Sequence, residues 1–142
     1  MVTRKVKAED RSFMYAWVCD LEQTTFLKHN FEIAFGKILS PSTLQYWIAE
    51  SESNPIGYFA LRTEMQLHHC APIAEIVEFY IAVENRNKSL GAEMLGELIK
   101  IAKQAECLWV EVASSNWRED AHRFYLSNGF EKTQERFGRR VD

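Results

Sequence analysis

The sequence predicts a single α/β (α+β) domain, with helices and strands along the whole chain. Three observations support this fold class. Apolar residues recur at helical spacing in several segments, and shorter apolar runs bounded by glycine, proline and polar residues lie between them. One of these runs enters a basic turn and is followed at once by a helical segment. The predicted order of elements is β-α-α-β-β-β-α-β-α-β.

The first half of the chain carries two helical patterns between short strand-like runs. Residues 2–6 predict a short strand, and residues 9–22 and 26–39 predict helices, the second of which is closed by Pro41. A hairpin is then expected from two strands, residues 44–49 and 56–65, around the polar turn 51–55.

The second half alternates strands and helices. Pro72 is expected to interrupt the chain before a strand over residues 74–83. A helix over residues 90–105 has an apolar side. The remaining expected elements are a strand over 108–113, a helix with an Asn116/Glu119 capping box that ends at Asn128, a C-terminal cap at Gly129 and a last strand over 130–137.

Length, charge and cysteine usage limit the classes of function. With 142 residues, the chain predicts one domain, residues 1–142, that is large enough for a core. The net charge of −3 disfavours a broad nucleic-acid-binding surface. Three widely spaced cysteines favour reduced thiols in a cytoplasmic protein. No run of 18 apolar residues predicts a membrane span, and no signal peptide is expected.

The turn between the predicted strand 74–83 and the helix after it is the first functional signal. Residues 86–92 are Arg-Asn-Lys-Ser-Leu-Gly-Ala. The first N–H groups of a helix lack internal partners, and the helix dipole adds positive charge there. This turn is therefore a candidate phosphate cradle, strengthened by Arg86 and Lys88. An ordinary strand-to-helix connection is the structural alternative.

A second motif lies about thirty residues downstream of the turn, and the two motifs together indicate a family. Arg86-x-x-Ser89-x-Gly91-Ala92, followed by Ala121-x-x-Phe124-Tyr125-x-x-x-Gly129-Phe130, resembles the two signature motifs of the GCN5-related N-acetyltransferase (GNAT) superfamily. The resemblance implies the acyl-CoA N-acyltransferase fold, in which helices flank a central mixed, mostly antiparallel sheet. It also implies acetyl-CoA as cosubstrate and transfer of its acetyl group to an amine. Ser89 stands where the family usually has glycine, and its side chain could cap the helix.

The resemblance also implies which residues hold the cosubstrate. The diphosphate is expected to meet backbone N–H groups along the whole turn. The strand before it is expected to pair with the amide groups of the pantetheine arm. The expected cofactor contacts are Tyr80, Ile81, Val83, Arg86, Asn87, Lys88, Ser89, Leu90, Gly91 and Ala92.

Two residues are expected to move protons. Tyr125 is the candidate acid, because a phenol with a pKa of about 10 holds its proton at neutral pH and can give it to a departing thiolate. Simple core packing is the alternative. Glu78 is the candidate base, directly or through water, with a salt bridge as the alternative. Glu75 and Glu78 lie on opposite faces of a regular strand unless a bulge intervenes.

Within the family, the chain is similar to the aminoalkylphosphonate N-acetyltransferases. Leu67-His68-His69, Glu75-Ile76-x-Glu78 and residues 120–126 carry this similarity. It implies a small primary amine as acceptor, and leaves room for a divalent cation and a homodimer. Adjacent histidines on an extended chain point apart, so no metal-ligand set is assigned. The expected substrate contacts are His29, His68, His69, Arg118 and Glu75.

The sequence leaves three alternatives open for the acceptor and for the activity. Glu32, where the similar proteins carry a basic residue, would suit a cationic acceptor such as a polyamine or an amino sugar. A protein or peptide N-acetyltransferase would need an open groove, and a non-catalytic coenzyme A-binding domain is the third possibility.

Overall fold

A computed structural model describes residues 1–142, the whole chain, as one sheet with helices on both faces. The strands are β1 Val2–Lys5, β2 Leu44–Ser51, β3 Asn54–Gln66, β4 Ala71–Ile81 and β5 Trp109–Val112. The helices are α1 Arg11–Glu22, α2 Lys28–Ile38, α3 Leu90–Gln104 and α4 Glu119–Ser127, with short 3-10 turns at Ala8–Asp10 and Val83–Asn85. None of the helices has the length and apolar content needed to cross a membrane.

The sheet has the order β1-β2-β3-β4-β5, antiparallel except that β5 runs parallel to β4. The predicted mixed, mostly antiparallel sheet is thus confirmed. Pro72 does not interrupt the chain: it lies in β4 opposite Met65. This position, next to the hairpin turn, tolerates the ladder hydrogen bond that a proline cannot donate.

The predicted last strand is wrong, because residues 130–142 form neither helix nor strand. The segment is mostly charged and polar, and Phe137 is 87% exposed, so it has no apolar face to bury against the sheet. The Asn116/Glu119 capping box is also wrong, since α4 begins after Arg118 without a side-chain cap. The predicted Gly129 cap is confirmed: its φ is +88°, and the N–H groups of Gly129 and Phe130 donate to the carbonyls of Leu126 and Tyr125.

Two apolar cores lie on opposite faces of the sheet. The first packs α3 and α4 against the sheet, with Leu61, Ile76, Met94, Leu98 and Tyr125 among its buried members. The second packs α1 and α2 against the other face, with Met14, Phe31, Phe35, Tyr58 and Tyr80 among its buried members. Each face of the sheet is therefore covered, and functional groups reach the protein's exterior only where the covering is incomplete.

A β-bulge in β4 changes which side chains share a face. Ala60 of β3 lies opposite Glu78, but the next residue, Leu61, lies opposite Ile76, so Val77 is an extra residue. Ile76 belongs to the α3/α4 core, so Glu75 points to the α1/α2 face, and the bulge turns Glu78 to that same face. A bulge is therefore present, and it places Glu75 and Glu78 on the same face of the sheet instead of on opposite faces.

Strands β4 and β5 separate after four residue pairs. β5 pairs only with Ile73–Ile76, whereas β4 continues to Ile81. The N–H of Ala82 donates to the carbonyl of Ile56 on β3, so by the alternation of an antiparallel ladder the backbone groups of Phe79 and Ile81 point away from β3. This stretch of β4 therefore turns to the gap beside β5 backbone groups that no neighbouring strand pairs with.

Asp10 links the first strand to the rest of the domain, which makes stability sensitive to acid. It is 4% exposed and accepts two hydrogen bonds from Arg4 at 2.8 and 2.9 Å and one from the Lys7 N–H. Burial opposes ionisation, but these donors outweigh it and lower the pKa of Asp10.

We expect Asp10→Asn to lower the free energy of unfolding at pH 7 by about 2–4 kcal/mol, because Arg4 then loses its buried counter-charge. A depressed carboxyl pKa contributes stability above its unfolded value of about 4, and this contribution is lost as pH falls through the folded value. Urea denaturation at pH 7 and pH 3 checks both points. A variant as acid-sensitive as the parent protein would contradict this role.

Candidate active site

The turn predicted to bind phosphate is exposed and leads directly into α3. Asn87 and Ser89 both adopt left-handed backbone angles, with φ of 61° and 62°. The first helical hydrogen bond of α3 runs from the Glu93 N–H to the Ser89 carbonyl, so the N–H groups of the first turn have no partner within the helix. These groups and the helix dipole can bind an anion.

The Ser89 side chain does not cap α3, contrary to the expectation from sequence. Its left-handed backbone costs a residue with a Cβ about 1–2 kcal/mol. Glycine adopts this conformation freely, which gives a physical reason for the glycine that the family usually has here.

Ser89→Gly should therefore raise the free energy of unfolding by up to about 1 kcal/mol, part of the gain being offset by the greater chain entropy of glycine when unfolded. Ser89→Ala, which keeps the Cβ, is the matched control and should give no gain. Denaturant titration of both variants measures the difference. Equal stability of the two variants would show that backbone strain at Ser89 is absent.

Arg86 lies at the open stretch of β4 and is already engaged by the protein. Its Nε donates to the Ile81 carbonyl at 2.9 Å, and its Nη2 lies 3.0 Å from Oδ2 of Asp20 in α1. The Tyr80 hydroxyl donates to the same Asp20 oxygen at 2.7 Å. Burial, and then the bond to Asp20, raise the pKa of Tyr80.

Three backbone positions were expected to pair with a pantetheine arm, and only one of them lies at the gap between β4 and β5. Ile81 faces the gap, as expected. Tyr80 instead pairs with Tyr58 of β3 and turns its side chain to the α1/α2 face, and Val83 lies beyond the strand in a 3-10 turn. Phe79, which the sequence analysis did not select, takes the second open position, because backbone groups alternate along a strand.

Tyr125 combines a buried ring with an unpaired hydroxyl. Its ring packs against Phe79, Phe124 and Phe130 at centroid distances of 6.3, 5.3 and 5.3 Å. No protein group hydrogen-bonds to its hydroxyl, and that oxygen is not sealed from solvent. Burial raises the pKa of Tyr125 to about 12, against the opposing charge of Arg118. The phenol therefore keeps its proton at neutral pH and has that proton free to donate.

Phe124 positions the start of α3 as well as Tyr125. A Cβ on Gly91 would lie 3.3 Å from Phe124 Cε2, so a glycine allows α3 to approach α4 closely at its first turn. Phe124 also lies beside Phe79, at 5.6 Å between ring centroids. One aromatic side chain thus links the anion-binding turn, the open strand and the helix that carries Tyr125.

Glu78 is held by two tyrosines that sequence reasoning missed. Tyr58 donates its hydroxyl proton to Oε1 at 2.9 Å, and Tyr46 donates to Oε2 in a short hydrogen bond. Burial, and then the charge of Glu78, raise the pKa of both tyrosines, which therefore remain donors. Strand tyrosines ordinarily predict core packing, and only the pairing of β2, β3 and β4 shows that these two converge on one carboxylate.

Arg118, at the start of α4, lies near Tyr125, the candidate acid. It stacks over the Trp117 ring at 4.6 Å and pairs with Glu22, the last residue of α1, at 3.3 Å. Its side chain is only 19% exposed, and its charge acts on Tyr125. A guanidinium that is mostly shielded from solvent at this point can bind an anionic group of a small molecule.

The other expected substrate contacts do not gather at this site. His68 and His69 lie at the tip of the β3–β4 hairpin, and Ala71, where β4 begins, is seven positions before Glu78, ~20 Å along a strand. His29 is exposed in the first turn of α2. Adjacent histidines looked like site residues because sequence alone does not show how far the hairpin extends.

Glu75 serves a structural pair of arginines. Its two oxygens lie 2.6 Å from Arg62 and 2.9 Å from Arg136. These bonds outweigh burial and lower the pKa of Glu75. Nowhere in the chain do three or more His, Cys, Asp or Glu side chains gather closely enough to hold a metal ion. The donor set therefore does not fit a divalent cation, and we derive no step through one.

Comparison with known proteins agrees with this geometry. The model of the Acetyltransferase (GNAT) family matches residues 11–130. Aminoalkylphosphonate N-acetyltransferase from Salmonella typhimurium is 29% identical over 134 residues, which cover 94% of this chain and 87% of that protein.

Solved structures share the fold at low identity. A transcriptional regulator from Bacillus halodurans has a TM-score of 0.87 at 19% identity, covering 99% of each chain. A GNAT family acetyltransferase from Staphylococcus aureus has a TM-score of 0.81 at 19% identity, covering 99% of this chain and 98% of that one. The family match spans most of the chain, including both the basic turn and Tyr125. The chain belongs to the GNAT family and is an acetyl-CoA-dependent N-acetyltransferase.

Proposed function

We propose that this enzyme transfers the acetyl group of acetyl-CoA directly to the primary amine of a small molecule that carries an anionic group. The observation that carries the proposal is the unpaired Tyr125 hydroxyl, which lies near the partly buried cation of Arg118 and shares Phe124 with the first turn of α3. The name of the Salmonella relative, an aminoalkylphosphonate N-acetyltransferase, supports an acceptor of this kind.

Different groups of the site bind the cosubstrate and transfer protons. The N–H groups at the start of α3 bind the diphosphate, and the backbone of Phe79 and Ile81 pairs with the pantetheine amides. Glu78 accepts the proton of the attacking amine, directly or through water. The amine nitrogen bonds to the thioester carbon, the carbon–sulfur bond breaks, and Tyr125 protonates the sulfur. This sequence needs no acyl-enzyme.

A cationic acceptor, which the negative charge of Glu32 suggested from the sequence, is less well supported. Glu32 lies 3.4 Å from Arg11, so its charge already has a partner on α1. Arg118 is paired as well, with Glu22, but its guanidinium is mostly shielded from solvent, whereas the side chain of its partner is half exposed. An acceptor with an acidic group therefore fits the site better than a polyamine.

An amine panel with a free-thiol readout tests the proposal. It contains aminoalkylphosphonates, amino sugar phosphates, polyamines and peptides, each assayed with and without a chelator. We expect the fastest thiol release with amines that carry a phosphonate or phosphate group. Exclusive response to peptides would contradict the small-molecule acceptor, and release from polyamines alone would contradict the anionic group.

A further inference from the structure

An ion pair joins the two helices that lie on opposite faces of the sheet. Arg118 Nη2 lies 3.3 Å from Glu22 Oε1, although the residues are 96 positions apart. Since α1 covers one face and α4 the other, their contact lies at the end of the sheet where β4 and β5 separate. Glu22 and Arg118 therefore meet at the gap into which the acceptor must enter.

The two partners of this pair are not equally fixed. The Arg118 side chain is 19% exposed and stacks on Trp117, whereas that of Glu22 is 51% exposed and ends α1. A half-exposed ion pair is weak, so its outer partner can be exchanged at low cost. Glu22 can move away from the site, while Arg118 stays in place.

The charges of the pair also act on tyrosines of the site. The Arg118 charge acts on Tyr125, lowering a pKa that burial raises. The Glu22 charge acts on Tyr58, adding to the effects of burial and of Glu78 on its pKa. Tyr58 in turn donates to Glu78. An anion bound to Arg118 in place of Glu22 would hold its molecule near Tyr125.

We propose that Glu22 is a specificity-determining residue: it is a resident counter-ion of Arg118 that the anionic group of the acceptor displaces. The inference rests on the proposed function, which places the acceptor's anionic group on Arg118. Glu22 then weakens the binding of anionic amines by competing for the guanidinium, and it has no such effect on neutral amines. The strength of this competition sets how far the enzyme prefers one class to the other.

Glu22→Gln tests this role with two amines of similar size, 2-aminoethylphosphonate and ethanolamine. The variant should lower KM for 2-aminoethylphosphonate by about threefold, the effect of removing a partly exposed ion pair, without changing kcat. KM for ethanolamine should stay the same. Glu52→Gln, an exposed carboxylate in the β2–β3 turn without a side-chain partner, is the matched control and should change neither value.

A double-mutant cycle separates competition from a general structural effect. In an Arg118→Gln background, Glu22→Gln should no longer change KM, because the guanidinium that both anions need is gone. Calorimetric titration measures the binding of each amine without turnover. Lack of acetyl transfer to any amine would contradict the proposed function, whereas an unchanged affinity ratio in Glu22→Gln would overturn the role of Glu22.

Discussion

Tyr125→Phe is expected to lower kcat by about 10²–10³-fold while the dissociation constant of coenzyme A stays within about twofold of the parent value. The phenylalanine keeps the ring contacts with Phe79, Phe124 and Phe130, and no protein hydrogen bond is lost. Only the proton for the departing sulfur is removed. Stopped-flow thiol release and calorimetry with coenzyme A measure the two quantities.

Tyr15→Phe is the control for Tyr125→Phe. The Tyr15 hydroxyl donates to the Phe26 carbonyl at 2.6 Å, so this variant also loses a phenol, but on the far side of α1. Its kcat should equal that of the parent. An unchanged kcat in Tyr125→Phe would remove Tyr125 from the chemistry. Because burial raises the pKa of Tyr125 to about 12, loss of activity below about pH 10 should not come from its ionisation.

Glu78→Gln is expected to lower kcat/KM by about 10²-fold or more, since the amide cannot take the proton of the attacking amine. The variant keeps the shape of the side chain, and Tyr46 and Tyr58 can still bond to its amide group. Steady-state kinetics with 2-aminoethylphosphonate and circular dichroism distinguish lost chemistry from lost structure.

Glu52→Gln again provides the isosteric control, because it removes one carboxylate without touching the site. Its rate should equal that of the parent. Glu78→Gln with parental kcat/KM and an intact fold would show that water or another group takes the proton.

Features that depend on local sequence could be predicted before the structure. The Arg86–Ala92 turn and the Gly129 cap follow from neighbouring residues, since strand-to-helix turns and helix ends have local signatures. Tyr125 was selected through the family resemblance instead. The residues that hold Glu78 could not be predicted in this way. Tyr46 and Tyr58 meet it only through the register of three strands and the bulge at Val77.

Other expectations failed because sequence pattern does not measure distance or exposure. His68 and His69 lie near Glu78 in sequence but at the far tip of a long hairpin. Residues 130–137 have some strand-forming residues but no apolar face. The sequence did not indicate a role for Glu22, because its ion-pair partner, Arg118, is 96 residues away in the chain.

Calorimetric titration with coenzyme A, dephospho-coenzyme A and pantetheine tests most directly whether the start of α3 binds a diphosphate. The first two ligands contain the diphosphate, and pantetheine lacks it. Coenzyme A and dephospho-coenzyme A should bind with dissociation constants within about tenfold of each other, and pantetheine at least about 100-fold more weakly than either, because it forgoes several charge-assisted hydrogen bonds. Pantetheine binding as tightly as coenzyme A, or no heat with coenzyme A, would contradict this account.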